Sequence, residues 1–133
     1  MAFVLDASVA IAWVVASQAT AYTKRMRLRA RREPYHVPMI FVAEVTNVIV
    51  VLERRGILNE HGAEAAAEVL GRLDPVVHAS NLNLPELRRL AKRFGLTAYD
   101  ACYLALALEL RLPIACGDRP LKTALVAASV KLA

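Results

Sequence analysis

Phe3-Val4-Leu5-Asp6-Ala7-Ser8-Val9-Ala10-Ile11-Ala12-Trp13-Val14-Val15-Ala16-Ser17 is the stretch on which the fold class turns. Phe3 to Leu5 reads as a short buried strand, and the apolar, alanine-containing run that begins near Ser8 has the length and composition of a helix. The chain therefore opens strand then helix, with an acid, Asp6, at the junction. The same alternation recurs downstream. A helix from about Ala19 to Arg32 must stop before Pro34, because a residue preceding proline is pushed out of the helical region, and Tyr35 to Val37 follows as a strand. Pro38 introduces a strongly apolar helix that finishes at Glu53-Arg54-Arg55-Gly56, where late basic residues and a glycine give a stop signal. Asn59 caps the next helix, which ends before Asp74-Pro75.

Val76 to Ala79 reads as a third strand, and Asn83-Leu84-Pro85-Glu86 is a capping-box start for a helix that stops at Gly95. Thr97-Ala98-Tyr99-Asp100 opens another helix reaching about Arg111. Pro113 to Cys116 gives a strand, Arg119 to Ala127 a last short helix, and Val130 to Leu132 an edge strand. Strands separated by helices require crossover connections, so the expected fold is α/β: a mainly parallel sheet of four to five strands between two helical layers. With 133 residues, one domain spanning 1–133 is long enough to bury its own core.

Composition excludes several classes. No apolar stretch is long enough to span a bilayer, since Glu44 and Asn47 interrupt the most hydrophobic segment. The N-terminus lacks a basic lead-in and carries Asp6 where a signal peptide would be apolar, so a cytoplasmic protein is expected. Cys102 and Cys116 form no CxxC pattern, and His36, His61 and His78 show no metal-ligand spacing; neither zinc nor redox chemistry is indicated. The 57% hydrophobic content leaves apolar surface for a second copy or another protein. Seventeen Lys and Arg against twelve Asp and Glu give a net charge of +5, which favours polyanionic partners.

Four acids stand out. Ligand sites in open α/β sheets form beyond the carboxyl ends of the strands, and Asp6 and Asp118 each follow a strand directly. Glu44 shares a helical face with Ile40, Phe41, Asn47, Val48 and Val51, and Asp100 with Tyr103, Leu104 and Ala107, so both point toward apolar surroundings. An ionised carboxylate buried without a partner is expensive, and no base stands at a matching position. A divalent cation offsets the repulsion among converging carboxylates, and all-oxygen ligation selects Mg²⁺ or Mn²⁺. Such an ion activates water for attack on a phosphodiester. Each acid also has a structural reading. Asp6 and Asp118 fit as helix N-caps, and Asp100 completes a weak capping box with Thr97. Glu44 faces solvent if its helix rotates, Asn47 can satisfy buried backbone or bond Glu44, and Ser8 is an N-cap candidate in its own right.

Taken together, Val4-Leu5-Asp6-Ala7-Ser8-Val9-Ala10, Glu44-Val45-Thr46-Asn47, Gly95-Leu96-Thr97-Ala98-Tyr99-Asp100-Ala101-Cys102-Tyr103-Leu104-Ala105-Leu106-Ala107 and Gly117-Asp118-Arg119-Pro120-Leu121 resemble, in order and spacing, the four acidic motifs of the PIN-domain family, specifically VapC-type toxins. The resemblance implies a PIN-like α/β/α fold. It also implies that Asp6, Asp100 and Asp118 are metal ligands or close neighbours, with Glu44 completing the site and Ser8 and Asn47 supporting it. Cys116 stands where similar toxins commonly carry threonine, which removes a hydroxyl near Asp118. Cleavage of RNA, neutralisation by a cognate antitoxin and homodimer formation follow from the resemblance alone. Two other readings stay open: a catalytically silent binding module for RNA or protein, and a DNA-directed nuclease using the same acids. Arg25, Arg29 and Arg32 share one face of a six-cation helix and are candidate contacts for RNA or an acidic antitoxin tail, although such runs are commonly solvated faces. Arg88, Arg89, Lys92 and Arg93 form a second basic patch.

Overall fold

A computed structural model describes all residues, Met1–Ala133. Four short strands, β1 (Phe3–Leu5), β2 (Tyr35–Pro38), β3 (Val76–His78) and β4 (Ile114–Ala115), form one sheet in the order β3-β2-β1-β4. Every pairing is parallel. Seven helices surround it: α1 (Ala7–Ala12), α2 (Ala21–Ala30), α3 (Phe41–Arg54), α4 (Glu60–Gly71), α5 (Leu84–Phe94), α6 (Ala98–Leu110) and α7 (Arg119–Ala127), in a three-layer α/β/α arrangement. Helix α6 lies on β1 and β2 and pairs with α5, while α1, α3 and α4 pack on one another in turn. Strand β1 is wholly buried at the centre, which explains its unbroken apolar run.

The element boundaries follow local chemistry. Helix α1 ends at Ala12, short of the apolar run's full extent, and the indole N–H of Trp13 is drawn away to donate to the Thr23 carbonyl at 2.8 Å. A single 3₁₀ turn, Ala16–Gln18, follows. Thr20 and Thr23 make a reciprocal capping box for α2, and Asn83 and Glu86 do so for α5. Gly95 closes α5 at φ 64°, a left-handed conformation in which glycine carries no Cβ penalty. Two strands are shorter than the sequence suggests. The segment Pro113 to Cys116 pairs only over Ile114–Ala115, and the expected edge strand Val130 to Leu132 contributes a single parallel bridge between Leu132 and Ile114. Ser129, with φ 57°, turns the chain three residues before that bridge.

Candidate active site

Asp6, Glu44, Asp100 and Asp118 line one cavity of about 260 Å³ beside the carboxyl ends of β1 and β4. Ser8, Val48 and Gln18 also line it, and no cationic side chain does. The parallel order places β1 next to β4, so the residues that leave those two strands, Asp6 and Asp118, meet across one crevice.

Capping and site geometry coincide here. Asp6 is the N-cap of α1: its Oδ2 accepts from the Ser8 N–H at 3.2 Å and from the Ser8 hydroxyl at 2.5 Å. Ser8 is therefore not the cap but the residue that holds it. The same hydroxyl oxygen accepts from the Gly117 N–H at 3.0 Å, tying the β1–α1 junction to the β4–α7 junction. Asp118 is the N-cap of α7, with Oδ2 accepting from the Leu121 N–H at 3.2 Å. In both aspartates the hydrogen bonds fall on Oδ2, leaving Oδ1 without a protein donor. Thr97 caps α6 and accepts from the Asp100 N–H at 3.1 Å, which fixes Asp100 in the first turn.

Burial and mutual repulsion dominate the electrostatics. Only 3% of Asp6 is exposed, and burial, offset by the Ser8 bonds and reinforced by the charges of Asp100 and Asp118, pushes its carboxyl from 3.8 up to about 6. Burial, with the charges of Asp6 and Asp100, carries Glu44 up to about 7. Asp100 is raised by burial and then by Asp118. One oxygen of Glu44, Oε1, is buried without a hydrogen-bond partner, and so is the Tyr103 hydroxyl. That hydroxyl lies near enough to favour the charged form of Glu44 slightly, yet the two oxygens form no hydrogen bond of acceptable geometry.

Donor chemistry and the orphaned Glu44 oxygen fit a hard divalent cation. No three of the acidic side chains close on one point at ligand distances. Such spacing suits a cation that keeps several of its waters, as Mg²⁺ does.

Some expectations do not meet at this cavity. The buried stripe of α3 is Phe41, Val45, Ile49 and Leu52, with Glu44 and Val48 on its flank. Asn47 is exposed, makes no hydrogen bond and is not part of the lining. Cys116 is buried in the core, its thiol pushed up to about 12 by burial and then by Asp6; the bond that reaches Gly117 comes from Ser8. Arg29 pairs with Glu33 at 2.8 Å and lies over the Phe3 ring, while the Met1 amine is 3.5 Å from the same glutamate. Because Phe3 begins β1, Arg29 sits at the amino edge of the sheet, opposite the acids. Arg25 covers the Tyr22 ring, and Arg32 shares a shallow pocket with Arg29. Gln18 was not legible as a site residue, since nothing local to the 3₁₀ turn gives its direction. Likewise His36 and His78, unremarkable in sequence, are brought by the β2–β3 pairing to 2.8 Å between Nδ1 and Nε2.

A sequence model of the PIN domain matches residues 3–124. The chain belongs to the PIN domain family. Two solved structures share this PIN fold. One is PAE2754 from Pyrobaculum aerophilum, with TM-score 0.71 and 24% identity over 93% of this chain and 79% of the other. The second is VapBC2 from Rickettsia felis bound to a DNA fragment from their promoter, with TM-score 0.65 and 13% identity over 100% and 98%. At these identities the likeness to each is one of fold. A search of curated proteins returned no match.

Proposed function

We propose that residues 1–133 are a single PIN-like domain acting in the cytoplasm as a Mg²⁺- or Mn²⁺-dependent endoribonuclease, the toxin of a VapC-type toxin–antitoxin pair. The observation that carries this reading is the convergence of Asp6, Glu44, Asp100 and Asp118, without a cation from the chain, on one cavity at the carboxyl edge of the sheet. When bound, a divalent cation supplies charge neutralisation and Lewis-acid activation of the attacking water. Asp6, Asp100 and Asp118 would hold it, with Glu44 completing the set. Ser8 fixes the Asp6 carboxylate and spans to Gly117, so one hydroxyl keeps the two strand ends in register. Glu44, half-buried with a proton affinity near neutrality, is suited to take a proton from the nucleophile.

The antitoxin is carried over from the Rickettsia felis neighbour, described as a VapBC2 pair. Exposed Met39, Val42, Leu84 and Val126 supply apolar surface for such a partner and for a twin chain. No helix is long and apolar enough to cross a membrane. Paired assays on single-stranded RNA and DNA of the same sequence test the substrate, because the acids themselves do not require a 2′-hydroxyl. RNA cut in Mg²⁺ with DNA left whole supports the reading. DNA cut at least as fast overturns the ribonuclease assignment, and RNA bound but never cut reduces the chain to a binding module.

A further inference from the structure

A second cavity, of about 470 Å³, lies between the β3–α5 connection and α6. Its walls are largely apolar, with Leu82, Leu90 and Leu106 among them, and its polar groups are few. A mainly apolar pocket of this size with a small number of placed polar atoms is the usual form of a small-ligand or base site. Helix α6 connects it to the acidic cavity. Asp100, in the first turn, lines the acidic cavity, whereas Cys102, Ala105 and Glu109 line the second. At 1.5 Å per residue, Glu109 is about 13.5 Å along the axis from Asp100 and on the other side of the helix.

The polar atoms favour one base. Asn81 donates its side-chain N–H to Glu109 Oε1; a carboxylate only accepts, so the amide orientation is fixed by chemistry. Glu109 Oε2 and Asn81 Oδ1 then remain as acceptors without protein donors, on two side chains already bonded to each other. Free acceptors on two joined side chains suit a base edge that offers two N–H donors, as guanine does at N1 and N2 when unpaired. Around the same pocket, α5 contributes Leu90 to the lining and exposes Arg88, Arg89, Lys92 and Arg93. Only Gly95–Thr97 separates α5 from the helix that carries Asp100. Phosphates flanking a seated base would find cations there, giving affinity without sequence choice.

We propose that this pocket is a base-recognition subsite that takes a guanine of single-stranded RNA a few nucleotides from the scissile bond, read by Glu109 and Asn81, with the exposed cations of α5 holding the adjoining phosphates. The proposal rests on the nuclease reading of the acidic cavity. Its test is binding, separated from cleavage: full-length protein carrying Asp6→Asn, in chelator, titrated with the pentaribonucleotides UUGUU, UUAUU and UUIUU, where I is inosine, which lacks the N2 amine. Guanine should bind about tenfold tighter than adenine, with inosine between. Glu109→Gln on the same background turns one acceptor into a donor and should reduce the preference to about twofold or reverse it toward adenine. If that variant is less stably folded, Asn81→Ala makes the same comparison. Equal affinities for the three oligonucleotides, or a guanine preference untouched by the substitution, overturn the proposal. Metal-dependent cleavage without base preference would end this inference and leave the nuclease reading standing. Guanine-selective binding in a protein that never cleaves would do the reverse.

Discussion

Replacing Asp6 with asparagine should make the metal-free protein more stable. The carboxyl is raised from 3.8 to about 6, so between those pH values the folded state keeps a proton that the unfolded state releases. Stability therefore falls as pH rises through that window, and the penalty is complete above about pH 6. At roughly 1.4 kcal/mol per pKa unit the penalty is about 3 kcal/mol. Asparagine caps a helix about as well as aspartate and its carbonyl can accept from Ser8, so little is lost in exchange. The net expectation at pH 7.5 in chelator is a gain of about 2 to 3 kcal/mol, or a rise in Tm of about 10 °C for a chain of this size. Towards pH 3.5, where Asp6 is mostly protonated in both states, the difference should shrink to roughly a few tenths of a kcal/mol, and vanish below that. Urea or thermal melts of parent and variant across pH 3.5 to 8 measure both quantities. A variant less stable than the parent at pH 7.5, or a difference that does not close in acid, would refute the picture of Asp6 as a desolvated, repelled charge.

Other outcomes follow from the same geometry. Asp118→Asn should keep the α7 cap and its stability, yet show a smaller Mg²⁺-induced rise in Tm and a steep loss of RNA cleavage, because ligand stabilisation scales with site occupancy; full retention of both would make Asp118 a cap only. Ser8→Ala removes the hydroxyl bonds to Asp6 and Gly117 and should cost about 1 to 2 kcal/mol in denaturant melts, with a larger proportional loss of cleavage. Tyr103→Phe deletes a buried hydroxyl that has no partner and should be neutral or stabilising by up to about 1 kcal/mol; a clear loss in melting experiments would mean the hydroxyl is bonded after all. Sedimentation at micromolar concentration should find a dimer, and a strict monomer would remove the twin-chain reading.

Sequence periodicity and capping residues were enough to order the strands and helices, because each crossover has its own start and stop signals: Asn59, Asn83 with Glu86, and Gly95 all act where their chemistry placed them. Capping does not use up these acids, since Asp6 and Asp118 hold their caps through one oxygen and leave the other free. What local pattern could not supply was lateral pairing. The neighbouring of β1 and β4 creates the Ser8–Gly117 link, and that of β2 and β3 brings His36 to His78; both depend on strand order. A similar limit applied to faces. Helical spacing put both Asn47 and Val48 with Glu44, but α3 presents Val48, not Asn47, to the cavity.

The central claim is that the four carboxylates form a metal-dependent nuclease site, and its most direct test is a single cleavage experiment. Purified chain, freed of any partner, is incubated with single-stranded RNA in Mg²⁺ or Mn²⁺, in chelator, and in chelator followed by excess metal, alongside Asp100→Asn prepared identically. Cleavage should appear with metal, stop in chelator, return on metal addition and be lost in the variant. Cleavage that persists in chelator, or that Asp100→Asn retains in full, would contradict the account.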